Sequence, residues 1–179
     1  MTRTSETPEE HGTHFPTVYW PQWKCRASFY ASTSLPDVPH TALFAVLGFV
    51  FHKDMVVLAN IKDRGYCIPS GKIEEGEQPL KAMIREAYEE TGAILDAAQV
   101  RPIGWYALVP PDSEAAAERI CPVFLAEAVE FSQIPQGSES LDVRLTALEE
   151  VSKHYFFWDE LMAAVFDYAG EMRAISDIA

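Results

Sequence analysis

At 179 residues the chain is long enough for one well-buried domain and too short for two comfortable ones. A hydrophobic share of 48% and a charged share of 23% are ordinary for a soluble globular protein. The formal charge of −13 argues against a nonspecific hold on nucleic acid polymers or anionic membranes, both of which require clustered Lys and Arg. Most of the acidic excess follows residue 94 and reads as a solvated surface. Cys25, Cys67 and Cys121 are odd in number and lack CxxC or His-paired spacing, so reduced thiols and a cytoplasmic location are expected. No apolar run opens the chain, so no signal peptide is expected, and the apolar stretch Ala42 to Phe51 is too short to cross a bilayer.

In chain order, residues 1–14 have the composition of a disordered tail. Residues 15–40 form an arm in which Tyr19, Trp20, Trp23, Phe29 and Tyr30 lie between Pro16 and Pro36. Such an arm covers one edge of a sheet, or uses a ring to stack on a base or to help a homodimer form. The main domain is expected over 41–179. Thr41 to Phe51 and Met55 to Ile61 are β-rich and joined at His52-Lys53-Asp54, which predicts a hairpin. Asp63-Arg64-Gly65 turns the chain into a short strand, Tyr66 to Pro69. Strands are also expected over Val100 to Val109, Ile120 to Val129 and Leu141 to Leu145, separated by loops at Pro111 to Arg119 and Ser132 to Ser140. Asp159 is positioned to cap a final helix with an apolar stripe of Leu161, Met162, Val165, Phe166, Ala169 and Met172. Strands interleaved with two helices favour an α/β class, a mixed sheet with helices on its faces.

The most informative stretch is GKIEEGEQPLKAMIREAYEETGA, Gly71 to Ala93. Pro79 suits a first helical turn and Gly92 a helix end, so a helix is expected from about 79 to 91. In that helix Leu80, Met83, Ile84, Ala87 and Thr91 make a core-facing stripe, with Glu86, Glu89 and Glu90 beside it. Three carboxylates on one patch repel one another unless a cation sits among them, and hard oxygen ligands suit Mg²⁺ or Mn²⁺. The preceding loop, bracketed by glycines, carries Glu77, for which Arg85 is a natural two-pronged partner.

This segment resembles the Nudix box, the signature of hydrolases acting on a nucleoside diphosphate linked to another group. Gly71, Glu77, Arg85, Glu86, Glu89, Glu90 and Gly92 occupy every fixed position at the required spacing. Ala87 and Ala93 are smaller than the usual aliphatic residues, and Ser70 stands where many relatives carry a second Gly. The resemblance implies an α/β/α sandwich with a mixed β-sheet and a divalent-cation-dependent pyrophosphohydrolase. It implies Glu86, Glu89 and Glu90 as metal ligands, with the Ser70 carbonyl as an addition. Arg85 and Glu77 would brace the loop against the helix, and Gly71 and Gly92 would permit its turns.

The general base varies among relatives between a box glutamate, here Glu86, and one on a later loop; Glu139 is the candidate outside the box, with Glu114, Glu118 and Glu127 as alternatives. The expected partner is a small nucleotide-derived substrate: ADP-ribose-like, a dinucleoside polyphosphate or a nucleoside triphosphate. Pro110 and Pro111 lie near a proline of ADP-ribose types, and Tyr106 near a tyrosine of diadenosine polyphosphate types. A non-catalytic Nudix-fold module that senses a nucleotide is the alternative, although intact Glu86, Glu89 and Glu90 argue against it.

Overall fold

The computed structural model describes residues 14–111 and 118–176. Residues 1–13 of the tail read from composition and most of the Pro111–Arg119 link, including Glu114, lie outside the described residues. Among the described residues, ten strands build one mixed sheet: β1 (Val18–Trp20), β2 (Cys25–Ala31), β3 (Ala45–His52), β4 (Met55–Ile61), β5 (Gly65–Cys67), β6 (Ser70–Lys72), β7 (Ala93–Leu95), β8 (Arg101–Val109), β9 (Arg119–Phe131) and β10 (Ser140–Ala147). Two α-helices cover it, α1 (Pro79–Thr91) and α2 (Glu160–Ser176). The backbone of the sheet runs β1-β2-β8-β9-β3-β4-β10, with β3 and β9 parallel at its centre and antiparallel pairs around them.

Both faces of the central strands are buried, which is why they read as nearly continuous apolar runs. Phe49 and Phe51 of β3 and Val123 and Leu125 of β9 join Leu161, Val165 and Phe166 of α2 in one core. The alternate residues Val46, Val50, Phe124 and Ala126 face Ala82, Met83 and Ala87 of α1 in a second. This is the α/β/α sandwich. Trp20 ties the arm to it: its indole N–H donates to Asp159 Oδ2 at 2.7 Å, while Asp159 Oδ1 accepts the Met162 N–H at 2.8 Å and caps α2. Residues 15–40 therefore contribute strands, β2 lying along β8 from Arg26–Val109 to Ala31–Gly104.

The split between β3 and β4 positions the box. They pair directly only at Phe51–Val56 and His52–Met55, beside the hairpin. Beyond that they diverge, and the following chain enters the gap, β5 pairing with the end of β4 and β6 with the start of β3. The strand expected at Tyr66 to Pro69 is thus the shorter β5, ending at Cys67, and a second short strand, β6, follows from Ser70, so the start of the box loop is itself sheet. Three hydrogen bonds hold it there: Gly48 N–H to Pro69 O at 2.9 Å, Ile73 N–H to Phe44 O at 3.1 Å and Ser70 N–H to Glu90 Oε2 at 2.9 Å.

Helix α1 starts at Pro79 and ends at Gly92, whose φ of +69° and N–H to Tyr88 O at 2.8 Å close the last turn. Its buried face holds Pro79, Ala82, Met83, Glu86, Ala87 and Thr91, with Leu80 and Ile84 half-buried at the margin. Glu86 is therefore within the buried face, a difference from the stripe read off the sequence. A Cβ on Gly92 would lie 2.3 Å from the Ser132 carbonyl oxygen and would also suffer the positive φ. Gly92→Ala is expected to cost about 2 kcal/mol or more, read as a lower denaturation midpoint at unchanged m-value. The three cysteines are free and buried, and among the described residues no helix is long and apolar enough to cross a membrane.

Candidate active site

Arg85 is the hub of the box. Its Nε and Nη2 donate to the two oxygens of Glu77, each at 2.9 Å, making the bidentate pair that suits a guanidinium. Nη2 also reaches the Lys72 carbonyl at 3.0 Å, and Nη1 donates to Glu86 Oε1 at 2.7 Å and Glu89 Oε2 at 3.2 Å. One side chain thus clamps the loop to the helix and balances two of its acids. The Arg85 contact holds the Glu77 carboxyl below its usual range. Glu77 in turn accepts the Glu74 N–H and offers its carbonyl to His40 Nε2, both at 3.0 Å.

Glu86 and Glu90 project from α1 under β6. The Glu86 carboxyl occupies the space where a side chain on residue 71 would begin, since a Cβ on Gly71 would lie 2.0 Å from its carboxyl carbon. Burial pushes the Glu86 carboxyl up, and Arg85 partly offsets this. Glu90 is pushed up to about 8, first by burial and then by the negative charges of Glu86 and Glu139, against the lowering effects of the Ser70 N–H and Arg64. Two carboxyls placed together without full compensation make a site that a divalent cation would relieve, and in this respect the residues fit one. Glu89 is exposed and turned to Arg85, and among the described residues no three His, Cys, Asp or Glu side chains converge as a ready cage. Cation binding would require Glu86 and Glu89 to exchange their Arg85 contacts.

Ser70 occurs in β6 opposite Leu47, and its N–H rather than its carbonyl makes the contact to Glu90. Glu139 is exposed at the end of the 132–139 loop, with its carbonyl bound to the Lys62 N–H at 2.9 Å, and its charge is felt at Glu90. Glu127 pairs with Arg173 at 2.6 Å and stands opposite Phe51, at the far end of β3 from β6. Glu118 is exposed beside β9.

Beside the box loop is a cavity of about 390 Å³. Ser70, Gly71 and Lys72 form one wall, and Trp20 and Trp23 from the arm form another. Tyr106 lines it too but is 2% exposed and packs against Trp20 and Phe29, so it serves mainly as core. Trp105 stacks on Tyr30, 5.9 Å away, and does not line the cavity. Arg64 from the β4–β5 turn, Lys72 and Arg119 bring positive charge to the cavity, and among the described residues none of the three is in an ion pair. Sequence reasoning missed Arg64 and Arg119. Turn and strand-end arginines carry no spacing signal, and only the fold brings them together. Cys67 is buried and pushed up to about 11, inert as a nucleophile. His52 binds the Ala128 carbonyl at 3.1 Å beside Phe131, remote from the box.

The NUDIX domain family model matches residues 42–166. No curated protein matches the chain by sequence. Among solved structures, the Bacillus subtilis pyrophosphohydrolase BsRppH is similar at 19% identity and a TM-score of 0.66, over 86% of this chain and 93% of that one. A NUDIX-family hydrolase from Clostridium perfringens is similar at 20% identity and 0.56, over 73% and 97%. The NUDIX domain of Shewanella oneidensis NrtR, complexed with ADP ribose, is similar at 18% and 0.54, over 74% and 92%. At these identities the structures speak for the fold alone, whereas the sequence model spans well over half of the chain. With that match added to the seven box residues and the clamp they build, the chain belongs to the NUDIX domain family of pyrophosphohydrolases.

Proposed function

We infer that the chain hydrolyses a pyrophosphate bond in a nucleoside diphosphate linked to another moiety, using Mg²⁺ or Mn²⁺ held by Glu86, Glu89 and Glu90 with the Ser70 carbonyl. The observation that carries this reading is the placement of Glu86, buried against Gly71, and of half-buried Glu90, bound by the Ser70 N–H, at the wall of a cavity bearing three cations without carboxylate partners among the described residues. The solved NrtR domain with ADP ribose supports a nucleotide-derived ligand for this fold. The three buried free thiols support a reducing, cytoplasmic setting.

The divalent cation would neutralise charge on the phosphate oxygens and lower the pKa of a bound water. The protein's own residues supply the rest. Arg85 and Glu77 hold the loop, the Ser70 N–H orients the Glu90 carboxylate, and Gly71 leaves room for Glu86. Arg64, Lys72 and Arg119 attract the phosphates electrostatically. Glu139, exposed and near Glu90, accepts the proton of the attacking water at its carboxylate. Glu139→Gln is expected to slow turnover by about 100-fold, within the range of general-base losses, while calorimetry shows metal affinity unchanged. An unchanged rate would return the role to a box glutamate such as Glu86.

The reading is tested with ADP-ribose, dinucleoside polyphosphates, nucleoside triphosphates and nucleotide sugars, measuring released phosphate and nucleotide with Mg²⁺ and with EDTA. Metal-dependent release from at least one is expected. Nucleotide binding with no release from any would support the sensor reading instead.

A further inference from the structure

We propose that Trp23, carried by the N-terminal arm, is a specificity-determining residue: it stacks on the planar base of a nucleoside diphosphate whose phosphates lie toward Arg64 and Arg119. This rests on the pyrophosphohydrolase reading for its substrate class, but its residues lie outside the box.

Four observations support it. Trp23 lines the cavity and remains 45% exposed, whereas neighbouring Trp20 is 5% exposed and fixed by Asp159. The arm thus buries one indole as an anchor and leaves the next open. Trp23 is held by edge contacts to Trp20, Phe157 and Phe156 at 5.1, 5.4 and 6.0 Å, so little side-chain freedom remains to be lost on binding. The short helical turn Pro21–Trp23 presents it, ended by Lys24 at φ +48°. Finally, the cavity that Trp23 lines also holds Arg64, Lys72 and Arg119. Arg119 lies over the Phe44 ring at 4.7 Å, and Arg64 reaches the field of Glu90. A planar apolar group near Trp23 and an anion toward the box are the two halves of a nucleotide, and a ring face of this kind tolerates any base.

Wild type, Trp23→Ala, Trp23→Phe and Arg119→Gln are titrated by calorimetry with ADP and, separately, with inorganic pyrophosphate, which has the phosphates and no base. Trp23→Ala is expected to weaken ADP by roughly 10- to 100-fold and leave pyrophosphate unchanged. Trp23→Phe is expected to retain most of the ADP affinity, and Arg119→Gln to weaken both ligands. Equal weakening of both ligands by Trp23→Ala, or of neither, overturns the proposal. In turnover, Trp23→Ala raises KM at unchanged kcat. A wild-type protein that binds ADP through Trp23 yet hydrolyses nothing would sink the enzymatic reading and leave this one standing.

Discussion

Glu90→Gln is expected to remove Mg²⁺-dependent turnover by roughly 100-fold or more, because the charge that complements a dication is lost. The fold should remain intact. Glutamine is isosteric, and its carbonyl still accepts the Ser70 N–H that Glu90 accepts at 2.9 Å. In the metal-free protein the variant should be at least as stable as wild type, since it no longer places an ionisable group beside Glu86. The pH dependence makes the test sharper. Glu90 is pushed up from 4.5 to about 8, so between those values the folded chain binds more protons than the unfolded one. Stability from this group is therefore complete below 4.5 and declines as pH rises through about 8. Metal-free wild type should show a falling thermal midpoint across that window, and Glu90→Gln a flatter one. Mg²⁺ affinity should rise over the same window, with proton release measurable as a buffer-dependent binding enthalpy. Near-normal turnover in Glu90→Gln, or identical pH profiles for the two proteins, would remove Glu90 from the site.

Gly71→Ala carries the second large effect. The added methyl would begin 2.0 Å from the Glu86 carboxyl, so either the carboxylate or β6 must move. β6 is hydrogen-bonded along β3 from Ala45–Lys72 to Leu47–Ser70, which leaves the Glu86 side chain as the softer partner. Its displacement breaks the 2.7 Å contact to Arg85 and misplaces a proposed metal ligand. A stability loss of about 1–3 kcal/mol is expected for overpacking, together with a turnover loss on the order of 100-fold for a misplaced group near the chemistry. Denaturant titration and steady-state kinetics check the two separately. A stable variant with full activity would show that Glu86 has room elsewhere and is not held where the reaction needs it.

Legibility followed the range of the interactions. Helix α1 is readable from Pro79 and Gly92 because both act through local backbone geometry, and its bounds agree with the expectation. The β3–β4 hairpin and the α2 stripe are similarly local, one set by a tight turn and the other by helical period. The second short strand, β6 at Ser70–Lys72, was not legible, since it depends on β3 and β4 parting to admit β5 and β6. The arm showed the same limit. Its aromatic residues were visible, but not that Trp20 would bind Asp159, which lies far along the chain.

By itself the sequence determined the family, the class of chemistry and the residues of the box, because that pattern depends on short spacings along one loop and one helix. Only the tertiary structure decided that Glu86 is buried against Gly71, that Arg85 binds Glu77, Glu86 and Glu89 at once, and that Arg64, Lys72 and Arg119 share a cavity with Trp23. Charge and burial act through space: a carboxylate's proton affinity and a cavity's sign depend on neighbours contributed by separate strands, and no periodicity in the chain encodes which of them will meet.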